Sequence, residues 1–290
     1  MRLRADLILL LVSIIWGSAF AAQRVAGQLG SVYFFNGSRY LLAGLIVLPF
    51  ALGKREGVPR GSPGRVQWLW MAAAGSVLFG AAAFQQAGML YTTAANAGFI
   101  TSLYVVFVPI GLLLFWGERP HWLAVVAVAM AVAGAFLLSS GGDSLKLQPG
   151  DALELMGAIL WTFHVILVGK FAAKFHPISF SAGQLFVCGA LNFIPGLFAE
   201  RPTPAQMELL ALPVAYTAVL ALGLGYTLQV WAQRHTPPAD AALILGLESV
   251  FAALAGWAIL KETLSPVQFL GCALIFAAVV TSQAKPRVSV

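Results

Sequence analysis

Residues 239–262 read ADAALILGLESVFAALAGWAILKE, and residues 95–118 read ANAGFITSLYVVFVPIGLLLFWGE. The two stretches lie 144 residues apart, and each is apolar and long enough to cross a bilayer, for which about 20 residues suffice. Identical residues recur between them in the same order. The pairs are Ala95–Ala239, Ala97–Ala241, Ile100–Ile244, Leu103–Leu247, Val106–Val250, Phe107–Phe251 and Glu118–Glu262. The match predicts a chain built from two copies of one unit.

The match extends on both sides with small changes of offset, as loops of slightly different length would produce. An offset of 144 also pairs Gln85 with Gln229 and Thr92 with Thr236, and an offset of 145 pairs Asp6 with Asp151 and Trp16 with Trp161. An offset of 146 pairs Phe34, Gly37 and Pro49 with Phe180, Gly183 and Pro195. We therefore predict two homologous units, residues 1–140 and 150–284.

Composition places the chain in a membrane. Hydrophobic residues make up 60% of its 290 residues, charged residues make up 10%, and the mean hydropathy is +0.86. In an average soluble domain, roughly 45–50% of the residues are apolar and about 25% are charged. A soluble enzyme, a nucleic-acid-binding protein and a disordered chain are therefore poor fits. The net charge of +6 does not change this, because the basic residues fall between apolar segments. The partners expected are the lipid bilayer and a small molecule, with no nucleic acid.

Ten apolar runs are long enough to span a bilayer. They cover approximately 5–23, 32–52, 66–88, 93–116, 121–139, 150–173, 177–199, 208–233, 239–260 and 265–283. The predicted fold is thus an all-α membrane protein with ten transmembrane helices in two five-helix repeats. Because five is odd, the two repeats are inverted in the membrane, an architecture typical of secondary transporters with a site near the midplane. A duplicated scaffold without transport is the alternative.

The distribution of basic residues predicts the orientation, since Lys and Arg are enriched in cytoplasmic loops. With a cytoplasmic N-terminus, the cytoplasmic set is Arg2, Arg4, Lys54, Arg55, Arg60, Arg65, Arg119, Lys170, Lys174, Arg234, Lys285 and Arg287. The opposite set is Arg24, Lys146, Arg201 and Lys261. The threefold bias places both termini in the cytoplasm. The expected location is a plasma membrane, specifically a bacterial inner membrane.

Motifs for other chemistry are missing from the sequence. It has no phosphate-binding G-x-x-x-x-G-K-[ST] loop, no H-E-x-x-H and no Cys/His cluster, so we expect neither an ATP motor nor a metal. The two cysteines, Cys188 and Cys272, lie in apolar runs and read as packing residues. No cofactor is expected, and coupling of transport to a proton is left open.

Three features resemble a known family. These are Ile15-Trp16-Gly17-Ser18 in the first span, the pair Glu118 and Glu262 at the ends of the fourth and ninth spans, and LESVFAAL at 247–254. Together they resemble the drug/metabolite transporter superfamily, EamA type, and its LEPVFAAL signature. Within it the chain is most similar to YddG-like exporters of aromatic amino acids and related metabolites. One position departs from the signature: Ser249 replaces the usual proline, so the resemblance does not imply a proline kink in the ninth span.

Ionisable residues deep in a span are functional candidates, because charge is costly in lipid. Arg39, His164 and Glu248 qualify and come from both repeats. Glu248 is interpreted as a site for a substrate ammonium group or a proton, or else as a structural partner of Arg39. Arg39 offers a bidentate fork to a substrate carboxylate, or a structural ion pair. His164 is either a titrating group or a neutral histidine with a hydrogen-bond partner.

The remaining candidates are polar or aromatic residues in the middle of spans. Trp16 and Trp161 are repeat partners and are predicted to form walls for a flat substrate, with core packing as the alternative. Tyr104 is the repeat partner of Glu248. The other predicted substrate-binding residues are Asn36, Gln85, Gln229 and Ser249.

The sequence thus predicts a transporter that exports small organic metabolites by alternating access, with amino acids, and aromatic ones in particular, implied by the resemblance. Nucleotide sugars, lipid precursors and cationic drugs are the alternative substrates. A passive channel is one rival class. An intramembrane enzyme using His164 and Glu248 is another, although no nucleophile has a recognisable partner spacing. The oligomeric state is not predicted.

Overall fold

The computed structural model describes residues 1–53, 65–92, 94–141, 148–171, 175–260 and 263–284, and these residues contain ten spanning helices and no strand. The spans, numbered α1 to α10, are Arg2–Gln28, Tyr33–Leu52, Arg65–Gly88, Asn96–Trp116, Trp122–Ser140, Asp151–Phe171, Pro177–Glu200, Pro204–Ala232, Pro238–Ala258 and Pro266–Gln283. The predicted all-α fold with ten transmembrane helices is confirmed. Several residues used in the sequence argument lie outside the described residues. They are Glu262, Lys54, Arg55, Arg60, Lys146, Lys174, Lys261, Lys285 and Arg287.

The helix starts follow from local capping chemistry. Thr203 and Gln206 form a reciprocal capping box at the start of α8, and Ser265 and Gln268 do the same for α10. In each case a proline occupies the first turn, where its missing N–H is not needed. The capping box explains why α8 begins four residues before the predicted span. α1 is also longer than predicted, because its polar end from Gln23 to Gln28 continues the helix.

The start of α2 is capped by a residue from the other half of the chain. Glu200, at the end of α7, accepts hydrogen bonds from the backbone N–H groups of Val32 (2.9 Å), Tyr33 (2.6 Å) and Phe34 (3.0 Å). Locally, Ser31 Oγ also accepts a hydrogen bond from the backbone N–H of Phe35 over 3.2 Å. The first N–H groups of a helix have no partner within the helix, and a carboxylate there also interacts favourably with the helix dipole. This contact ties α7 to α2.

Two of the spans are interrupted at equivalent positions of the two repeats. With the helical residues just outside the spans included, α4 consists of Ala94–Ser102 and Tyr104–Trp116, broken at Leu103. In the same way, α9 consists of Pro238–Leu245 and Glu248–Leu260, broken at Gly246 and Leu247. Leu103 and Leu247 are partners in the repeat. Such paired breaks are typical of transporter binding sites, because they free backbone groups near the midplane.

Helix packing follows the repeat. When each span of the first half is exchanged with the span five places later, the main contacts map onto each other. α2 packs on α7, and α5 packs on α10. The contact between α3 and α6 corresponds to that between α8 and α1, and the contact between α4 and α6 corresponds to that between α9 and α1. The α5–α10 contact is close enough that a Cβ at Gly271 would lie 2.5 Å from the carbonyl oxygen of Gly134, as expected where small residues let membrane helices approach.

The outward faces of the helices are apolar. Large hydrophobic side chains such as Phe50, Leu114, Leu212 and Val280 are more than two-thirds exposed. In water such a surface would be an aggregation liability, whereas in a bilayer it contacts lipid tails. Many buried residues are polar, which is the reverse of the soluble pattern. The functional groups therefore lie inside the bundle.

Equivalent hydrogen bonds between a threonine and an aspartate lie at the two ends of the bundle. At one end, which we call the Arg2 face, Thr236 Oγ1 donates to Asp6 Oδ1 over 2.8 Å, and at the other, the Glu200 face, Thr92 Oγ1 donates to Asp151 Oδ1 over 2.5 Å. Asp6 and Asp151 are repeat partners, as are Thr236 and Thr92. Each bond joins the first helix of one repeat to the segment before the fourth helix of the other. We call them the Asp6 latch and the Asp151 latch.

Arginines reinforce the two latches in different ways. Arg2 bonds Asp6 at 2.9 Å and Asp240 at 2.7 Å, so the Asp6 latch belongs to a charged network. On the Glu200 face, Arg24 donates to the backbone carbonyls of Met89 (2.6 Å) and Thr92 (2.8 Å). The latches are therefore related by the repeat but are unequal in their surroundings.

Candidate functional site

A central cavity lies between helices of both repeats. Of the predicted site residues, Trp16, Arg39, Gln85, Tyr104, Trp161, Gln229 and Glu248 line it. The other lining residues are Ala19, Phe20, Gln23, Tyr40, Thr101, Val165, Ala221, Leu222 and Tyr226. Tyr104 and Glu248, which directly follow the α4 and α9 breaks, are among the lining residues, so the second part of each helix begins at this space.

Aromatic rings form one side of the cavity. Trp161 stacks on Tyr226 with ring centroids 6.3 Å apart and an interplanar angle of 14°. Trp16 lies 5.1 Å from Tyr226 and 6.5 Å from Trp161, between centroids. The predicted pair of repeat partners is thus brought together, with Tyr226 between them. The Nε1–H of Trp161 has no hydrogen-bond partner among the described residues.

A π-helical segment in α8 supports this aromatic group. Residues Thr217–Leu224 form it, and the carbonyl of Ala221 within it accepts a 2.8 Å hydrogen bond from Trp16 Nε1. π-Helical turns are rare and are frequent at functional sites, since they leave carbonyls out of the regular i→i−4 pattern. The Trp16 ring is therefore fixed from the opposite repeat.

Arg39 is buried and is held by neutral groups. Its Nε (3.1 Å) and Nη2 (2.8 Å) donate to Asn36 Oδ1, and Nη2 also donates to Gln23 Oε1 over 3.2 Å. Its guanidinium also lies over the rings of Phe35 and Tyr40, 4.7 and 5.3 Å from their centroids. The ion pair with Glu248 that the sequence left open does not occur in the described structure. Arg39 is thus a buried cation without a carboxylate partner.

Glu248 begins the second part of α9, directly after the break, and is only 4% exposed. Its carboxyl group lies beside the hydroxyl of Tyr104, its repeat partner. Beyond this mutual contact, Glu248 Oε1 and Tyr104 Oη lack a hydrogen-bond partner among the described residues. The two breaks thus place an acid and a phenol side by side at the cavity.

The cavity contains a cluster of polar atoms without partners. Both side-chain atoms of Gln229 belong to it, together with Glu248 Oε1, Tyr104 Oη and Trp161 Nε1. Gln85, the repeat partner of Gln229, donates to Thr101 Oγ1 over 3.0 Å. Buried polar groups in native proteins are nearly always hydrogen-bonded, to protein, water or ligand. This cluster is therefore suited to bind a polar ligand or water.

Three predicted site residues do not line the cavity. Asn36 lies behind it, donating to the carbonyl of Ala82 (2.9 Å) and accepting from Arg39, so it positions Arg39. His164 hydrogen-bonds Gln184 over 3.0 Å and meets Trp161 and Tyr226 edge-on. Ser249 turns away and donates to the carbonyl of Gly246, at the α9 break (2.9 Å). The structure does not bring these three to the cavity wall, since each faces a neighbouring helix or its own backbone, and their contact with a substrate stays a prediction.

Several lining residues escaped the sequence analysis although helical spacing points to them. Phe20 and Gln23 follow Trp16 at i+4 and i+7, Thr101 precedes Tyr104 by three residues, and Tyr226 precedes Gln229 by three. Residues with these spacings share one face of a helix. The positions of the predicted residues thus contained the signal for the others.

The glutamate that ends the fourth span lies apart from the cavity. Glu118 forms an ion pair with Lys170, at the end of α6, on the protein surface. Glu262 lies outside the described residues. Glu118 does not line the cavity.

The fold and the cavity define a polytopic helical membrane protein with a central cavity lined by both repeats. The model of the EamA-like transporter family matches residues 3–140 and 148–282, and the chain belongs to this family of membrane transporters. The expected superfamily is thereby confirmed. None of the relatives described below is named as a YddG-like exporter, so that narrower resemblance stays a prediction.

Relatives and one solved structure agree with this assignment. An "Uncharacterized transporter" of Archaeoglobus fulgidus is 34% identical over 96% of this chain and 85% of its own length. The inner membrane transporter YedA of Escherichia coli K12, also described as uncharacterized, is 27% identical over 92% and 86%. The threonine/homoserine exporter RhtA of the same strain is 30% identical over 59% of this chain and 57% of its own length. One crystal structure superposes with a TM-score of 0.78 and 18% sequence identity. The superposition covers 97% of this chain and 98% of that one, so the two proteins share a fold.

Proposed function

We propose that this transporter exports amino acids, with aromatic side chains favoured, by alternating access between its two repeats. The observation that carries the proposal is the content of one cavity. It holds one buried guanidinium, Arg39, one buried carboxyl, Glu248, and the rings of Trp16, Trp161 and Tyr226. A zwitterion with a flat side chain matches that set of groups.

The charges favour a zwitterion over the alternative substrates. The guanidinium of Arg39 has no carboxylate partner in the described structure and offers N–H donors to a substrate carboxylate. Glu248 offers its carboxyl to a substrate ammonium group. A nucleotide sugar or a lipid phosphate would bring several negative charges to a cavity with one cation, and a cationic drug would leave Arg39 unopposed.

The relatives support the substrate class more weakly. RhtA is named as an exporter of threonine and homoserine, which are amino acids with short polar side chains. Its similarity covers 59% of this chain, so it favours amino-acid export without favouring the aromatic ones. The preference for aromatic side chains rests on the cavity rings.

Alternating access is supported by the paired latches. The Asp6 and Asp151 latches are equivalent under the repeat and lie at opposite ends of the bundle. Two equivalent closures allow one end to open while the other stays shut, which a carrier requires and an open channel does not. The intramembrane-enzyme alternative has less support, because His164 bonds Gln184 rather than Glu248.

Counterflow in proteoliposomes tests the proposal. Purified protein is reconstituted with unlabelled amino acid inside and a trace of labelled amino acid outside, at equal pH on both sides. We expect transient accumulation of labelled tryptophan, phenylalanine or tyrosine that empty liposomes lack. Flux without saturation or exchange would instead indicate a channel. No accumulation of any common amino acid by folded protein would contradict the substrate class and direct the search to sugars, lipids and cations.

A further inference from the structure

Glu154 is a fully buried acid that the substrate site does not use. It lies on α6, one turn from the start of that helix, and is 0% exposed. It makes no ion pair among the described residues. It packs against α3 so closely that a Cβ on Gly88 would lie 2.6 Å from Glu154 Oε1. The glycine at position 88 therefore leaves room for this carboxyl, and a side chain there would collide with it.

A short hydrogen-bonded path connects Glu154 to the cavity. Thr101 Oγ1 donates to Glu154 Oε2 over 3.4 Å, and Gln85 Nε2 donates to Thr101 Oγ1 over 3.0 Å. Gln85 and Thr101 both line the cavity. Glu154 Oε1 has no hydrogen-bond partner among the described residues. The carboxyl therefore has one oxygen tied to the cavity wall and one unpartnered oxygen.

On its other side Glu154 lies beneath the Asp151 latch. Asp151 is one helical turn before it on α6, and it accepts from Thr92 Oγ1 and from the backbone N–H of Gln148 (2.8 Å). Asp151 is 8% exposed and lies at the Glu200 face. When this latch is closed, as here, Glu154 is shielded from water on that face. Opening of the latch would expose it.

Among the described residues, the surroundings of Glu154 contain no compensating cation. α3 contributes Gly88 and Gln85, α4 contributes Thr101, and α6 itself contributes the one charged neighbour, Asp151. Arg24, the nearby guanidinium at the Glu200 face, is engaged by the carbonyls of Met89 and Thr92. An ionised carboxylate buried without a cation is strongly unfavourable. The closed structure is thus suited to the acid with its proton bound.

We propose that Glu154 is a proton-binding site that couples transport to proton movement across the membrane. This rests on the proposed function. With the Glu200 face open, the carboxylate takes a proton from a hydronium ion there: an O–H bond of the hydronium breaks, the O–H bond of the acid forms, and water is left. With that face closed and the Arg2 face open, the O–H bond breaks, the electron pair stays on the carboxylate, and the proton passes by Thr101 to cavity water.

The coupling site exists on one face alone. The repeat offset of 145 places Leu9 at the position equivalent to Glu154, and Leu9 is buried and cannot hold a proton. If the Glu200 face is extracytoplasmic, as the basic residues predict, the proton moves inward while the substrate moves outward. Coupling of this kind would drive export.

The variant Glu154→Gln separates proton coupling from substrate exchange, because the amide keeps the shape of the side chain and cannot exchange a proton. Two measurements are made in proteoliposomes with labelled phenylalanine: counterflow at equal pH, and accumulation driven by an imposed pH gradient. For the unmodified protein we expect accumulation several-fold above that without a gradient. For Glu154→Gln we expect counterflow within twofold of the unmodified protein and no response to the gradient.

Glu208→Gln is the matched control, since it makes the same chemical change at an exposed position on α8, and both activities should persist. A gradient response that survives in Glu154→Gln, or that is absent in the unmodified protein, would overturn the inference. Loss of counterflow in folded Glu154→Gln would also overturn it, by assigning the acid to the substrate site or the packing. Absence of counterflow in the unmodified protein would instead contradict the proposed function itself.

Discussion

Glu248 shows how a single residue gains a role from its position at a helix break. It is the first residue after the interruption of α9, where its carboxyl reaches the cavity beside Tyr104. The signature proline is replaced by Ser249, yet the break is present at the same place. The interruption therefore does not depend on proline in this chain.

The variant Glu248→Gln should lower the initial rate of counterflow at least tenfold while folded protein remains in the membrane. The physical reason is the loss of the one carboxyl in the cavity that can oppose a substrate ammonium group, a charge-assisted contact of about 1.5–3 kcal/mol. Rates are measured at saturating internal substrate and compared with the exposed variant Glu208→Gln. Unchanged transport would reduce Glu248 to a packing residue.

Replacing Trp16 or Trp161 with Ala should weaken binding of aromatic amino acids more than binding of aliphatic ones. Each ring is positioned to contact a flat side chain, and an aromatic pair contributes about 0.5–1.5 kcal/mol beyond the buried area, or roughly a two- to tenfold change in affinity. The comparison is the half-saturating concentration of phenylalanine against that of leucine in counterflow.

Trp68→Ala is the control for the tryptophan variants, because Trp68 on α3 is more than half exposed and lies outside the cavity. It should leave the ratio of the two half-saturating concentrations unchanged. Equal losses for phenylalanine and leucine in Trp16→Ala and Trp161→Ala would contradict the stacking walls and leave core packing as their role.

At the scale of helices, the two latches govern which end of the bundle opens. Replacing a latch threonine with valine keeps the shape of the side chain and removes the hydroxyl that donates to the aspartate. A hydrogen bond to a charged group contributes about 1.5–3 kcal/mol to stability. Thr92→Val should therefore favour the state open at the Glu200 face, and Thr236→Val the state open at the Arg2 face. The expected shift between the two states is about tenfold or more.

Labelling of a cavity cysteine measures that shift. Ala19→Cys lines the cavity, and Cys188→Ala with Cys272→Ala removes the native thiols. A membrane-impermeant maleimide is added to right-side-out or inside-out vesicles. The two Thr→Val variants should raise the labelling rate from opposite sides, so each serves as the control for the other. Equal acceleration from one side in both variants would contradict alternating latches.

At the scale of the whole molecule, ten spans put both termini on one face of the membrane. The threefold excess of Lys and Arg predicts that this face is cytoplasmic. Green fluorescent protein fused to either end should therefore fluoresce, and alkaline phosphatase fused to either end should be inactive. The opposite result at both ends would reverse the proposed direction of proton and substrate movement. Different results at the two ends would contradict the ten-span count.

The sequence alone was sufficient for the class of protein, the ten spans and the correspondence between the halves. These properties are local or periodic: a run of about 20 apolar residues specifies a span whatever surrounds it, and a repeat offset needs no coordinates. For the same reason Trp16 and Trp161 were recognised as partners, and the structure places both at one cavity. The division into units of 1–140 and 150–284 stays a prediction.

The tertiary structure decided which polar groups meet, because this depends on the rotation and tilt of each helix. It turned His164 toward Gln184 and Ser249 toward its own backbone, placed Gln23 and Asn36 on Arg39, and left Glu248 unpaired with that arginine. It also made Glu154 a fully buried acid. Glu154 lies three residues after the first residue of α6, so its position in the sequence does not mark it as deep in the membrane. Its burial arises from Gly88 and Thr101, which are distant in sequence and close only after the helices pack.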